Sequence, residues 1–228
     1  MRSTGPTARY LTQRSFAGAA RRSKHQRLAS RLEEAGFTNL FINRGDYKEY
    51  RGIETLMGYL ATARRSVLVV GYWMAQGREI EDLKDLGAMV LHRPDFQIRI
   101  AIIDPVGPHI DSLAEHLGES PERVTQNCKA TLDKLIQVRR KLPGEAQQRM
   151  IVKTYTSTAV ASIIVLDEGE PDARAQIDIK LYRTVRRNSV GFETTGTGKD
   201  LYESLHRAAS LRFEDAQEWQ PAARSLPE

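Results

Sequence analysis

Ser66-Val67-Leu68-Val69-Val70-Gly71 and Phe96-Gln97-Ile98-Arg99-Ile100-Ala101-Ile102-Ile103, the second closing on Asp104-Pro105, decide the fold class. The first is a β-branched run without alternation, as expected of a central strand with helices over both faces of its sheet. On its N-terminal side Ile53, Leu56, Met57 and Leu60, with Ala61 or Ala63, recur at helical spacing and lead straight into it. Between the two runs a helix is expected over residues 79–89. Beyond the second, Pro105 and Gly107 punctuate the chain before a helix over 110–117. Val124, Cys128, Leu132, Leu135 and Ile136 then mark a long helix over 122–142, stopped by Pro143-Gly144. Three strands follow, over 151–155, 161–166 and 177–182, the last two joined through the polar hairpin Glu168-Gly169-Glu170-Pro171-Asp172. A final helix over 199–219 turns Leu201, Leu205, Ala208 or Ala209, Phe213 and Trp219 inward.

Ahead of this alternation stand a helix over 25–35, with Leu28 and Leu32 on one face and Gly36 as its stop, and a short strand over 40–43 closed by the turn Arg44-Gly45-Asp46. No repeat with a period of about 20 to 50 residues is present, which argues against a solenoid. The expectation is a single α/β domain, a mixed sheet flanked by helices, behind a basic N-terminal tail. Its divisions are a tail over 1–24, a helix and short strand over 25–50, and the main domain over 51–220.

At 228 residues, with 40% hydrophobic and 28% charged side chains, the chain can bury one core. No run of about 18 apolar residues exists, so a membrane-spanning helix is not expected. The single cysteine, Cys128, excludes an intrachain disulfide and a cysteine zinc site. It lies in an apolar helical pattern and reads as a small core hydrophobe in a reducing, cytoplasmic compartment. Neither metal nor cofactor is expected.

The net charge of +5 is lopsided. Arg2, Arg9, Arg14, Arg21, Arg22, Lys24, Arg27 and Arg31 all precede the first acid, Glu33, so the remainder of the chain is slightly acidic. The tail reads as solvated, with contact to nucleic-acid phosphates or anionic lipid as its functional alternatives.

The stretch from Ile53-Glu54-Thr55-Leu56 through Ala63-Arg64-Arg65-Ser66-Val67-Leu68-Val69-Val70, the strand ending Ile100-Ala101-Ile102-Ile103-Asp104-Pro105, the segment Asn188-Ser189-Val190-Gly191-Phe192-Glu193 and the closing helix from Leu201-Tyr202 to Phe213 and Trp219 together resemble one domain of the phospholipase D superfamily. The resemblance spans about residues 52–219. It implies a phospholipase D-like mixed sheet and a His-x-Lys-x(4)-Asp motif, whose imidazole attacks phosphorus and whose ammonium neutralises the phosphate oxygens. With Asp167 taken as the motif aspartate, the histidine position falls on Val160 and the lysine position on Ser162. Neither side chain can do that chemistry. The chain is also similar to a degenerate branch that forms the C-terminal sensory half of some bacterial regulators, although no helix-turn-helix precedes it. The resemblance further implies a homodimer, because single-motif members pair two domains into one cleft.

By that resemblance Lys153, Tyr155, Ser162, Asp167, Lys180, Tyr182, Arg187, Asn188 and Glu193 gather near the former catalytic cleft. Lysines, an arginine and hydroxyls without a nucleophile suit the holding of a phosphate rather than its cleavage. From the strand pattern itself, Tyr72, Trp73 and Asp104 fall at the carboxyl ends of parallel strands, where open α/β sheets place ligand crevices. Tyr72 and Trp73 are candidates to stack on a base or head group, against core packing, and Asp104 is a candidate site residue, against a plain Asp-Pro turn.

The segment from Gly191 to Gly198 misses the phosphate-loop spacing and reads as a loop before the last helix, whose N-terminal amides could still meet an anion. Asp111 with Glu115, and Glu79 with Glu81, read as solvated helix faces. The expected function is a noncatalytic ligand-binding or regulatory module for a phosphorylated small molecule, a nucleotide or a protein partner. The alternative is a nuclease or phospholipase-type phosphodiesterase with a rearranged catalytic set, in which His92 or His109 works with Asp104.

Overall fold

The computed structural model describes residues 24–41, 55–74, 77–157, 161–183 and 189–219. The expectations placed on residues 1–23, on the Arg44-Gly45-Asp46 turn, and on Val160, Arg187 and Asn188 lie outside the described residues.

Helix α1 covers residues 24–34 and turns at Gly36 into strand β1, Phe37–Phe41. Helix α2 (Leu56–Ala61) starts on Thr55, whose side chain accepts the Gly58 amide, and delivers the chain into β2 (Ser66–Gly71). A 3-10 stretch, Gly77–Leu83, precedes α3 (Lys84–His92) and β3 (Gln97–Ile103). Helices α4 (Ile110–Leu117), α5 (Pro121–Arg140) and α6 (Gly144–Gln148) come before β4 (Met150–Tyr155). The hairpin β5 (Ala161–Leu166) and β6 (Arg174–Ile179), then β7 (Val190–Thr195), α7 (Asp200–Asp215) and the two-residue β8 (Gln217–Glu218) complete the order.

All eight strands form one sheet in the order β1-β7-β6-β5-β2-β3-β4-β8. Strands β2, β3 and β4 are parallel, and every other pairing is antiparallel. The expected mixed α/β architecture is therefore present. The described residues share one hydrophobic core, whose densest part is Leu68, Ile98, Ile100, Ile102 and Leu132, all essentially inaccessible. No helix among the described residues is long and apolar enough to cross a membrane.

The two crossovers, β2 to β3 and β3 to β4, put α3, α4 and α5 on the same face, where α5 packs on α3, α4 and the 3-10 stretch. Among the described residues the other face is covered by α7, lying across β2 to β7. A 16-residue helix is about 24 Å long, whereas eight strands span about 34 Å. One helix therefore cannot cover all of this face.

Several boundaries differ from the sequence expectation. The sixth strand begins at Arg174 rather than 177, because the hairpin closes at once and Leu166 pairs with Arg174. Leu181 and Tyr182, expected inside that strand, lie past its end and are exposed. Of the segment from Gly191 to Gly198 read as loop, the part up to Thr195 belongs to a strand, Val190–Thr195, between β6 and β1. Its Gly191 is required there, since a Cβ would come within 2.6 Å of the Phe41 ring. The last helix stops at Asp215, and the chain extends at Ala216 to pair Gln217 and Glu218 with β4. Leu28 and Leu32, whose shared face predicted packing, are 56% and 39% exposed.

Candidate functional site

The parallel strands β2, β3 and β4 end together at Gly71, Ile103 and Tyr155, and the sheet's ligand crevice is expected at that end. Strand β5 starts there and β6 finishes there. One row across the strands reads Gly71, Ser162, Asp178, Gly191: Ser162 is paired with Asp178 and Asp178 with Gly191. Ser162 Oγ sits 2.7 Å from where a Cβ on residue 71 would stand, so glycine at 71 is what makes room for the hydroxyl.

The side chains of Ser162, Asp178 and Lys180 share one face, because residues two apart along a strand point the same way and paired residues do too. Asp178 and Lys180 form an ion pair at 2.8 Å, with the carboxylate 7% and the ammonium 14% exposed. His116 of α4 donates from Nε2 to the Lys180 carbonyl at 2.9 Å. The Arg183 amide donates to the His116 carbonyl at 2.7 Å, so the chain after β6 is fastened to the end of α4.

The carboxyl end of β2 is held from two sides. Tyr155 donates its hydroxyl to the Gly71 carbonyl at 3.0 Å, and Cys128 donates its thiol to the Tyr72 carbonyl at 3.3 Å. Burial pushes the Cys128 thiol up to about 12, which leaves it unreactive and bears out its reading as a core hydrophobe. Burial likewise raises the phenols of Tyr72 and Tyr155 far above their ordinary range.

Tyr72 is 3% exposed and its hydroxyl finds no hydrogen-bond partner among the described residues. It is therefore a core residue that offers no ring face to a ligand, a correction to the stacking role. Trp73 is only partly buried, with its ring centroid 6.1 Å from that of Tyr72, and it is the aromatic that remains at the rim. Asp104 closes a turn, accepting the Val106 amide on Oδ1 at 3.0 Å and the Gly107 amide on its carbonyl at 3.0 Å. Beside this turn, an open groove of about 720 Å³ runs between Val106, Ile110, Thr125 and Lys129.

Three expected cleft residues stand elsewhere. Asp167 ends β5 at the opposite edge of the sheet, in the left-handed region with φ 57°. Its Oδ1 accepts the amides of Arg64, Arg65 and Ser66 at 2.7, 2.7 and 3.3 Å. That carboxylate staples the entrance of β2. Lys153 lies on the α7 face, donates to the Phe213 carbonyl at 3.1 Å and covers the Phe213 ring at 4.6 Å, as cations do at helix C-termini. Glu193 shares the Ser162 face but sits in the middle of β7 opposite Gln176, only 1% exposed. Tyr182 is at the right end of the sheet, exposed, and donates to Glu115 at 3.0 Å.

The opposite edge is occupied by its own ion pairs. Glu168 binds both Arg99 and His206, the latter at 2.6 Å, and burial of the Arg99 guanidinium lowers its pKa. Arg64 pairs with Asp172, Arg65 with Glu170 at 3.1 Å, and Arg174 donates to the Thr62 hydroxyl at 2.8 Å. The anion position expected at the last helix is filled by the chain itself, since Glu203 accepts the Gly198 amide at 2.7 Å.

Sequence reasoning missed Asp178, Gln176 and His116. The alternation Arg174-Ala175-Gln176-Ile177-Asp178-Ile179-Lys180 carried the signal for the first two, because it puts every polar side chain on one face. Nothing in the sequence linked His116 to Lys180.

No protein-family model matches the chain, and no curated protein matches it. Solved structures similar to it include the following two. One is Nuc from Salmonella typhimurium, a phospholipase D family member, at 10% identity and TM-score 0.43, over 72% of this chain and 88% of that one. The other is TrmBL2, an archaeal chromatin protein whose structure shows a mode of DNA binding, at 9% identity and TM-score 0.46, over 93% of this chain and 68% of that one.

Proposed function

We propose that this chain is a non-hydrolytic phospholipase D-like module that holds a phosphate-bearing small molecule or nucleotide at the Ser162 end of the sheet and serves as a sensor or adaptor. The observation that carries the reading is the Ser162 row. Counted back from Asp167, Ser162 stands at the lysine position of the motif, and a neutral hydroxyl cannot stabilise a pentavalent phosphoryl group as an ammonium does. The cation beside it, Lys180, comes from the neighbouring strand and is already partnered by Asp178. Such a cation can exchange its carboxylate for a ligand phosphate, which supplies binding without a leaving-group acid. The basic tail supplies nonspecific contact to nucleic-acid phosphates, and two copies act together.

The test pairs binding with turnover. Thermal-shift measurements against nucleotides and phospholipid head groups are expected to show stabilisation by a phosphate-bearing ligand, lost in Lys180→Met, while phosphodiester substrates, DNA and RNA stay intact with or without metal. Hydrolysis above background would overturn the proposal.

One observation favours the second reading, a phosphodiesterase with a rearranged catalytic set. The imidazole of His116 is bonded through Nε2 to the carbonyl of the same residue that offers the ammonium. His92 ends α3 and His109 precedes α4, while Asp104 is occupied by its turn. Turnover that disappears in His116→Ala and persists in His92→Ala and His109→Ala would establish this reading.

A further inference from the structure

Helix α1 contributes no residue to the core, and every residue of 24–34 is exposed. The chain enters the sheet just past its C-terminal end, where the Thr195 amide donates to the Gly36 carbonyl at 2.8 Å. Leu28 and Leu32, 56% and 39% exposed, lie one turn apart on one stripe, with Ala35 in line. At about 3.6 residues per turn, Lys24 and Arg31 border that stripe on one side and His25 on the other. Gln26, Ser30, Glu33 and Glu34 take the far side, where the Ser30 hydroxyl donates to Glu34 at 2.9 Å. The helix is therefore amphipathic, with cations along its apolar border and acids away from it. Ahead of it the chain is basic without interruption, since Glu33 is the first acid and Arg2, Arg9, Arg14, Arg21 and Arg22 come before α1.

Shape and charge choose among the surfaces that could cover such a stripe. A helix of 11 residues is about 16 Å long and about 10 Å wide, so one face offers roughly 200 Å², about a quarter of one side of a stable protein interface. Nucleic acid would engage the cations, but its phosphates give leucine nothing to pack on. An anionic bilayer engages both. Leucines settle at the boundary of head groups and acyl chains, and the bordering cations meet the lipid phosphates and carboxylates. A helix this short is marginal in water, and a surface that buries its stripe supplies the missing stability.

We infer that α1 is a membrane-surface helix, lying in the plane of an anionic bilayer with Leu28 and Leu32 toward the acyl chains and Lys24 and Arg31 at head-group level. The arginines ahead of it add attraction, which salt screens. No helix among the described residues is long and apolar enough to cross the bilayer, so this contact is peripheral. Thr195, beside which α1 joins the sheet, pairs with Arg174 and Arg174 with Leu166, so the attachment lies at the opposite end of the sheet from Ser162.

Co-sedimentation with vesicles of phosphatidylcholine and phosphatidylserine at low salt tests this. Binding is expected, at least about tenfold weaker to phosphatidylcholine alone and weaker as salt is raised. Leu28→Glu with Leu32→Glu is expected to lower the affinity by about tenfold or more, and Lys24→Gln with Arg31→Gln by a similar factor. Both pairs leave the thermal unfolding of the domain unchanged, because the replaced side chains are exposed. Deleting residues 1–23 weakens binding and keeps its dependence on the leucines. No binding, equal binding to phosphatidylcholine alone, or an affinity indifferent to the leucines would each overturn the inference. So would a leucine effect on the binding of double-stranded DNA, or on the sedimentation of the lipid-free chain, in place of one on vesicles, because the stripe would then serve nucleic acid or protein. None of these readouts involves the ligand at Ser162, so the two proposals fail separately.

Discussion

The two ends of β5 carry the residues that would be partners in one motif, and they have opposite characters. At Asp167 a single carboxylate accepts three backbone amides, Glu168 holds Arg99 and His206, and three further arginines are paired or bonded. At Ser162 the row contains two glycines, one hydroxyl and an ion pair imported from β6. The first end is organised for holding strands together and the second for leaving room. The contrast teaches that one strand can be stapled at one end and open at the other, because the three amide bonds to Asp167 need nothing from the Ser162 row.

The largest test of this contrast is Asp167→Ala. It strands three amide donors in a part-buried turn and is expected to cost about 4 kcal/mol, read as a drop in the denaturant midpoint. Asp167→Asn keeps an acceptor and tolerates the left-handed backbone, so its loss is expected to be less than half as large. Equal losses would show that charge rather than hydrogen bonding does the stapling.

Lys180→Met comes next. It leaves Asp178 buried without its ammonium and is expected to cost about 3 kcal/mol, most of it recovered in Asp178→Asn with Lys180→Met. No recovery would mean that the pair is not what makes the Ser162 end stable.

Gly71→Ala sharpens the comparison at closer range. The new methyl meets Ser162 Oγ at 2.7 Å and is expected to cost about 2 kcal/mol, relieved by adding Ser162→Gly. A neutral Gly71→Ala would show that the strands at this end part easily.

Alkaline pH acts on both ends, through Cys128 beside the Tyr72 carbonyl and through Tyr202 near the Asp167 carboxylate. Cys128 and Tyr202 titrate near 12 in the folded chain, against ordinary values of 9.0 and 10.0. The folded state therefore keeps protons that the unfolded state has released, and stability falls as pH rises from about 9 toward 12 by roughly 1 kcal/mol per unit and group. Cys128→Ala is expected to remove the part that starts lowest, in urea unfolding followed across that window. Arg64→Ala marks the other limit: its pair with Asp172 is more than 60% exposed on both sides, and its loss is expected to stay within about 0.5 kcal/mol.

The central strands were legible because Val67 to Val70 and Ile100 to Ile103 are buried on both faces, and a doubly buried strand shows as a continuous apolar run. Helix α5 was legible for the equivalent reason, with Val124, Cys128, Leu132 and Leu135 on one stripe. Strand β7 was hidden by its own composition. Gly191 and the threonines that follow look like loop until the Phe41 ring occupies the space a side chain would need. At the site, Ser162 was found by counting back from Asp167, but the placement of Lys153, Asp167 and Glu193 was not. Their positions depend on which face and which end of a strand they occupy, and a slip of one residue exchanges the faces.

By itself the sequence determined the class of fold, a mixed sheet with helices, because apolar periodicity is a local property. Only the tertiary structure decided that Lys180 and Asp178 stand beside Ser162 and that His116 reaches Lys180. Those facts depend on strand order and register, which join residues far apart in the chain through pairings that no local pattern encodes.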